Sequence, residues 1–275
     1  MNELLNNPAV QGGVAPFVVA LTAAALLYRS RLLGLAISAG LVVLIALAIG
    51  FSFESLTATR KLVLLVGLAS LFVLGLEMAR VAPLPAARAA VAAVMGLGAV
   101  WVVLRLLQQQ EEISRAVFLG AAAALYLAFL VDSSNAIGND SVRAASAALF
   151  LGLGSGVLAL LGGSALLALV GIAAGASAGA ALLIQMITGR RAPSGWTLAL
   201  PAATAAGLVV LLSTFTGELR WFCLLPLLAV PWVTRLVPAG DRPVWISAFL
   251  TSSAAAIPAL ISVALAKFLA AASGG

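Results

Sequence analysis

The chain alternates long apolar stretches with brief polar punctuation. Ten apolar runs can be marked off: Gly12–Tyr28, Leu32–Gly50, Leu62–Leu76, Ala86–Leu104, Ile113–Val131, Ala144–Leu161, Ala165–Thr188, Trp196–Phe215, Trp221–Val237 and Val244–Phe268. A helix needs about 20 mainly apolar residues to cross the hydrocarbon core of a bilayer, and each run is predicted as such a span. The first and third are short and would need flanking residues or a thinner bilayer. Only Gly162, Gly163 and Ser164 separate the sixth from the seventh. Read as a tight helical hairpin they give ten spans; read as one interrupted segment they give nine.

The connections between runs are too short for a soluble domain, so residues 1–275 are expected to form a single integral membrane domain, an all-α polytopic helical bundle. The stretch Asp132–Arg143 lies near the midpoint, with five runs on each side. Five-plus-five inverted repeats are an established transporter architecture, although here only a Phe-Leu-Gly tripeptide recurs, at Phe118 and Phe150. In length and span count the chain resembles ten-helix permeases such as those of the drug/metabolite transporter superfamily. The resemblance is one of architecture, carried by no motif.

Composition agrees with the pattern. Hydrophobic residues make up 63% of the chain and charged residues 9%, with a mean hydropathy of +1.18. A soluble domain has about 25% charged residues, so most of this surface must face hydrocarbon. The net charge of +6 does not indicate nucleic acid, whose binders cluster basic residues on one face. Here they are scattered as singles and pairs such as Arg29/Arg31, Arg60/Lys61 and Arg190/Arg191, which suits lipid headgroups and the positive-inside rule. Membrane lipids are therefore the expected partners, with other membrane subunits or a second copy as further partners of the glycine faces described below.

Counting Lys and Arg sets the orientation. With Met1 outside, the inner connections hold Arg29, Arg31, Arg80, Arg88, Arg143, Arg190, Arg191, Arg235 and Arg242, and the outer ones Arg60, Lys61, Arg105, Arg115, Arg220 and Lys267, nine against six. The segment before the first run carries no Lys or Arg, unlike the basic start of a cleavable signal, so that run is expected to stay as a helix. The Ala- and Gly-rich style with minimal loops suggests a bacterial cytoplasmic membrane.

Candidate chemistry is sparse. The chain has no histidine and a single cysteine, Cys223; the commonest metal ligand and general base is missing, and no enzymatic role, metal or cofactor is expected. Gly152-Leu153-Gly154-Ser155-Gly156 lies in an apolar helix, lacks the Lys of a phosphate loop and follows no strand. The charges Glu54, Arg60, Lys61, Glu77, Arg80, Arg105, Asp132, Glu218, Arg220 and Lys267 fall near span ends, where headgroup contact and snorkelling accommodate them.

Three polar or small-residue constellations remain. Asp132-Ser133-Ser134-Asn135 with Gly138-Asn139-Asp140-Ser141 is the densest polar cluster. Turn chemistry explains it through positive φ at Gly138 or Asn139 and a cap from Asp140 or Ser141; the functional alternative is a vestibule built on Asp132 and Asn135. Pro201, Pro226, Pro231 and Pro258 lie in the last three spans, where each can kink or break a helix. Thr251-Ser252-Ser253 precedes Pro258, and Gln185 interrupts span seven, so Gln185, Thr251, Ser252, Ser253 and Pro258 form a candidate solute path; the structural alternative is that the hydroxyls bond nearby carbonyls. Finally, Gly171, Gly175 and Gly179 in span seven and Gly152 and Gly156 in span six form small-residue faces suited to close helix packing.

Two functions follow. One is a permease or facilitator for a small solute; the other is a non-catalytic membrane subunit or assembly factor docking other transmembrane helices. The first leads because ten-span single-domain bundles are commonly transporters. Orientation is testable on its own: in a Cys223→Ser background, Glu3→Cys should label with an impermeant thiol reagent from outside, and Arg190→Cys should not. The reverse pattern would invert the topology.

Overall fold

The computed structural model describes residues 7–50, 56–79, 85–110, 112–193, 195–217, 219–238 and 242–273. Among these there is no strand, and ten helices match the ten apolar runs: α1 Val10–Leu27, α2 Leu35–Ile49, α3 Ala58–Met78, α4 Pro85–Gln110, α5 Ile113–Ala136, α6 Ser141–Leu161, α7 Ala165–Thr188, α8 Trp196–Thr216, α9 Trp221–Leu236 and α10 Val244–Ser273. Eight are long and apolar enough to cross a membrane, so the chain is an integral membrane protein of helical-bundle type.

The short helices are α2 and α9, not the first and third as the run lengths suggest. α3 is 21 residues long because its terminal polar residues find partners. Thr57 caps it by accepting from the Arg60 N–H at 3.4 Å, Lys61 donates to the Trp101 carbonyl at 3.0 Å, and Glu77 pairs with Arg31 at 3.8 Å. Lys61 is therefore buried, with its ammonium 5.0 Å from the centre of the Trp101 ring, rather than snorkelling to headgroups. α2 begins late because the chain must turn beneath α8: the Gly34 N–H donates to Thr197 Oγ1 at 3.0 Å, and a Cβ on Gly34 would overlap the Thr197 backbone. Ser52 and Glu54, in the polar stretch after α2, lie outside the described residues.

α8 is the axis of the bundle. Of its most apolar window 89% is buried, against 67% for α6 and α7 and less than half for every other long helix. A helix that is apolar all round belongs in an interior, and α8 has no charged residue and buries Thr197, Thr204 and Ser213, Thr204 donating to the Leu200 carbonyl and Ser213 to that of Val209, each at 2.8 Å. α6 and α7 pack on it and on each other, α10 covers α6, and α3 leans on α8 while touching α2 and α4 only slightly.

The prolines do not break the helices. α8 runs through Pro201, α9 through Pro231 and α10 through Pro258, while Pro226 sits in the first turn of the α-helical part of α9, where its missing N–H costs nothing. Next to Pro231, Trp232 stacks on Phe129 at 6.2 Å on the bundle surface.

The division between α6 and α7 is a Schellman turn. Gly163 takes φ +82, its N–H reaches the Leu160 carbonyl at 3.1 Å, and the Ser164 N–H reaches that of Ala159 at 2.9 Å, the paired bonds that close a helix C-terminus. The glycine faces then meet inside the chain. A Cβ on Gly171 would lie 2.5 Å from the Gly156 nitrogen, one on Gly175 would lie 2.8 Å from the Leu153 nitrogen and 3.0 Å from the Leu149 carbonyl, and one on Gly152 would overlap Gly175. Gly179, at the wide end, would meet only the Leu149 side chain at 3.3 Å. Because these obstacles are backbone, they cannot rotate away. Gly175→Leu is expected to exceed the usual overpacking cost of about 1–3 kcal/mol and to remove folded protein from detergent extracts, while Gly179→Ala keeps its yield. Size-exclusion profiles and thermal unfolding check both.

Candidate functional site

At one end of the bundle Arg31 meets Glu77, Arg88 meets Asp132, and Gly138 lies under the Trp196 ring with a would-be Cβ 3.1 Å away. The polar cluster after Val131 belongs to this end. Asp132-Ser133-Ser134-Asn135, expected as a connection, is the last full turn of α5 before Ala136. The helix continues because Ser133 donates to the Leu130 carbonyl at 3.0 Å and Asp132 pairs with Arg88 of α4 at 3.5 Å. Asp140 caps α6, accepting from the Val142 and Arg143 N–H groups at 3.1 and 3.4 Å. The left-handed glycines among the described residues are Gly50, Gly163 and Gly189; Gly138 is required for its fit against Trp196 rather than for positive φ.

Gln185 and the α10 hydroxyls, expected together along a path, belong to two separate polar joints. Gln185 is buried; its Oε1 accepts from Ser141 Oγ at 2.6 Å and from the Ala192 N–H at 3.3 Å, and its Nε2 donates to the Ala181 carbonyl at 3.3 Å. It ties the end of α7 to the start of α6 and to the following loop. The second joint is a donor chain. Ser252 Oγ donates to Ser146 Oγ at 3.2 Å, Ser146 lies 2.8 Å from Thr251 Oγ1, and Thr251 donates to the Ser247 carbonyl at 2.7 Å. Three hydroxyl protons are thus each used once. Ser253 faces outward, and Pro258 is buried. The cavity reaching Thr251 measures about 10 Å³ and is walled by Asp140, Arg143, Arg191 and Ser247, at the lower limit for holding even a single water.

A larger opening than the one at Thr251 lies beside the cluster. A cavity of about 320 Å³ sits between α3, α4, α5 and α8, the gap left because α3 stands off from α4. Its floor is Val73, Met95 and Leu200, all buried, and its rim includes the exposed Phe72 and Val94. Arg88, Asn135 and Trp196 line one part of it through their apolar atoms, so the wall is apolar throughout. Asn135 is 2% exposed and its Oδ1 has no hydrogen-bond partner; Arg88 Nε and, next along α5, Ser134 Oγ are likewise buried and unpartnered. Buried polar atoms are nearly always hydrogen-bonded, and each orphan costs about 1–3 kcal/mol. Two of the three lie on residues that wall the cavity, although the polar atoms themselves are not exposed to it.

Of the proposed vestibule residues, Asn135 lines this cavity, and Asp132 reaches it through Arg88. Arg88 itself was visible in the sequence only as one of several scattered basic residues. Among the described residues no group of three His, Cys, Asp or Glu side chains could hold a metal ion. The chain matches no known family profile, no curated protein and no solved structure.

The Gln185 joint gives its own expectation. Gln185→Leu leaves the Ser141 hydroxyl and the Ala192 N–H without their acceptor in a buried setting, which should cost about 1–3 kcal/mol for each orphaned donor. Gln185→Glu, which keeps the acceptor, should lose less. Thermal unfolding of the two variants in the same detergent checks the order.

Proposed function

We propose that this protein is a permease or facilitator for a small solute, working in a bacterial cytoplasmic membrane with Met1 outside. The observation that carries the reading is the cavity between α3, α4, α5 and α8, with Asn135 Oδ1 and Arg88 Nε buried beside it and unpartnered. Ligand sites are mostly apolar hollows of about 300–1,000 Å³, and this cavity has that size and an apolar wall, with the Asn135 and Arg88 polar atoms buried behind it. With Met1 outside, it opens at the cytoplasmic end, among the more numerous arginines. The slight contact of α3 with α4 leaves a helix able to move away while α8 holds it from behind.

The rival reading, a subunit or assembly factor, rested on glycine faces free to receive another helix. Four of those glycines, Gly152, Gly156, Gly171 and Gly175, are used between α6 and α7, so that surface is already taken.

The test is osmotic. Proteoliposomes placed in an inward gradient of glycerol, propane-1,2-diol or acetamide should re-swell faster than protein-free vesicles for at least one solute, as read by stopped-flow light scattering. Asn135→Leu should lower that rate several-fold with unchanged folded yield. Replacing Thr251, Ser252 and Ser253 together with alanine should lower yield rather than the rate per folded molecule. Rates equal to empty vesicles for all three solutes would overturn the reading and leave the subunit role.

A further inference from the structure

We propose that the end of the bundle where α6, α8 and α10 begin holds the phosphate head of an anionic phospholipid, taken by Arg143, Arg191 and Arg242. The site is separate from the cavity between α3, α4, α5 and α8 and does not depend on what that cavity carries.

Three connections meet here: α5 to α6, α7 to α8, and α9 to α10. Arg143 Nη2 donates to the Val237 carbonyl, and Arg191 Nη2 donates to Ser247 Oγ at 3.1 Å. Arg143, Arg191 and Arg242 line one small hollow, and among the described residues Asp140 is the carboxylate that lines it with them. Asp140 is already fully engaged. Its Oδ1 caps α6, and its Oδ2 is shared between Arg143 Nε at 3.5 Å and Arg191 Nη1 at 3.3 Å. One negative charge thus faces three guanidinium groups. The sequence of the three connections does not restore the balance: residues 137–143, 189–195 and 237–243 hold Arg143, Arg190, Arg191 and Arg242 against Asp140 and Asp241.

The excess charge is equipped for a phosphate. A guanidinium carries five N–H donors in a planar fork that matches a pair of phosphate oxygens. The contacts above use two donors of Arg143 and two of Arg191, and Arg242 is exposed, with no ion pair among the described residues. The Arg143 and Arg191 side chains are 16% and 37% exposed, so each is anchored on one side and open on the other. The hollow, about 10 Å³, is too small to admit a phosphate. The head therefore rests across the open edges of the guanidinium groups.

The surroundings indicate a lipid and not a free ion. Trp245 and Phe249, on one face of the first turns of α10, are 59% and 67% exposed on a surface that faces hydrocarbon. They offer acyl chains an apolar platform that starts at the level of the arginines, where an interfacial tryptophan belongs. A zwitterionic head would bring its own ammonium against the excess of guanidinium. A phosphodiester of a neutral alcohol leaves a net negative charge for that excess to balance. Basic pockets between helices on the cytoplasmic side suit such heads, and with Met1 outside this end is cytoplasmic.

The test is lipid retention. Full-length protein is extracted in mild detergent from vesicles of equal parts phosphatidylglycerol, phosphatidylethanolamine and phosphatidylcholine. Lipids bound to the folded, monodisperse fraction are counted by native mass spectrometry. Phosphatidylglycerol should be retained at least about fivefold over phosphatidylcholine, and Arg242→Gln should lower that retention about fivefold, the effect of one arginine at an anionic surface. Adding Arg191→Gln should lower it further. Arg105→Gln removes the same charge from an exposed residue at the opposite end of the bundle and should change nothing. Asp140→Asn removes the competing carboxylate while keeping a capping side chain, so retention should rise. Equal retention of the three lipids, an equal loss in Arg105→Gln and Arg242→Gln, or weaker retention in folded Asp140→Asn would overturn the inference. Displacement of the lipid by inorganic phosphate, but not by chloride at equal ionic strength, would also overturn it, by assigning the arginines to a soluble phosphate. Should Arg191→Gln or Asp140→Asn fail to fold, the comparison of Arg242→Gln with Arg105→Gln decides alone.

Discussion

Lipid tails are as apolar as leucine, so helices inside a bilayer gain nothing merely by hiding apolar surface from one another. They must be held by contact itself, by close packing and by hydrogen bonds between segments. In this protein that constraint is met first where α6 and α7 press glycine against glycine, Gly152 on Gly175 and Gly156 on Gly171. The pair presents a rigid double wall on which α8 lies almost wholly enclosed. α1 and α2 settle on α7 and α10 on α6, while α3 and α5 reach the centre through α8. Gly34 against Thr197 and Gly195 against the Ala144 side chain and the Ser141 backbone apply the same rule at one end of α8. The bundle is therefore ordered outward from one backbone-to-backbone seam.

The second requirement, that polar groups in hydrocarbon find partners inside the protein, is met nearly everywhere. Hydroxyls on α8, α9 and α10 return their protons to carbonyls about one turn back, and Lys61 rests on a carbonyl and an indole ring. Against that background the unpartnered Arg88, Ser134 and Asn135 atoms are notable for their location. They cluster where α3 fails to close on α4, and not at random over the bundle.

The existence of all ten helices was legible in the chain because apolar length is a direct physical requirement for crossing a bilayer. The glycine seam was legible as well, since spacing of four puts Gly171 and Gly175 on one face. Helix ends were not: Lys61, Glu77 and Asp132 looked like boundary markers, yet each lies within a helix because a distant partner compensates its charge, and such partners cannot be seen along a single stretch. The supposed path failed to assemble for a related reason. Gln185 and Thr251 are both polar and interrupt apolar runs, but each is satisfied by a different neighbour, Ser141 in one case and Ser146 in the other. Arg88 was the residue most easily missed. The only signal was geometric: it and Asp132 are equidistant from Gln110 along the chain, so an α4–α5 hairpin must bring them level.

The turn between α6 and α7 bears on how the molecule is made. Its three residues, Gly162, Gly163 and Ser164, carry no charge, and its exposed backbone ends are closed by the two bonds of the Schellman turn. The tip of this hairpin can thus be carried through the bilayer without dragging an ion across hydrocarbon, a step that costs several kcal/mol for each charged side chain. Its contacts are also local in the chain, and local contacts form early because little loop entropy opposes them. The pair that forms the seam is the one a nascent chain can insert as a finished unit, leaving the preceding helices to gather on it and the later ones to meet a wall already built.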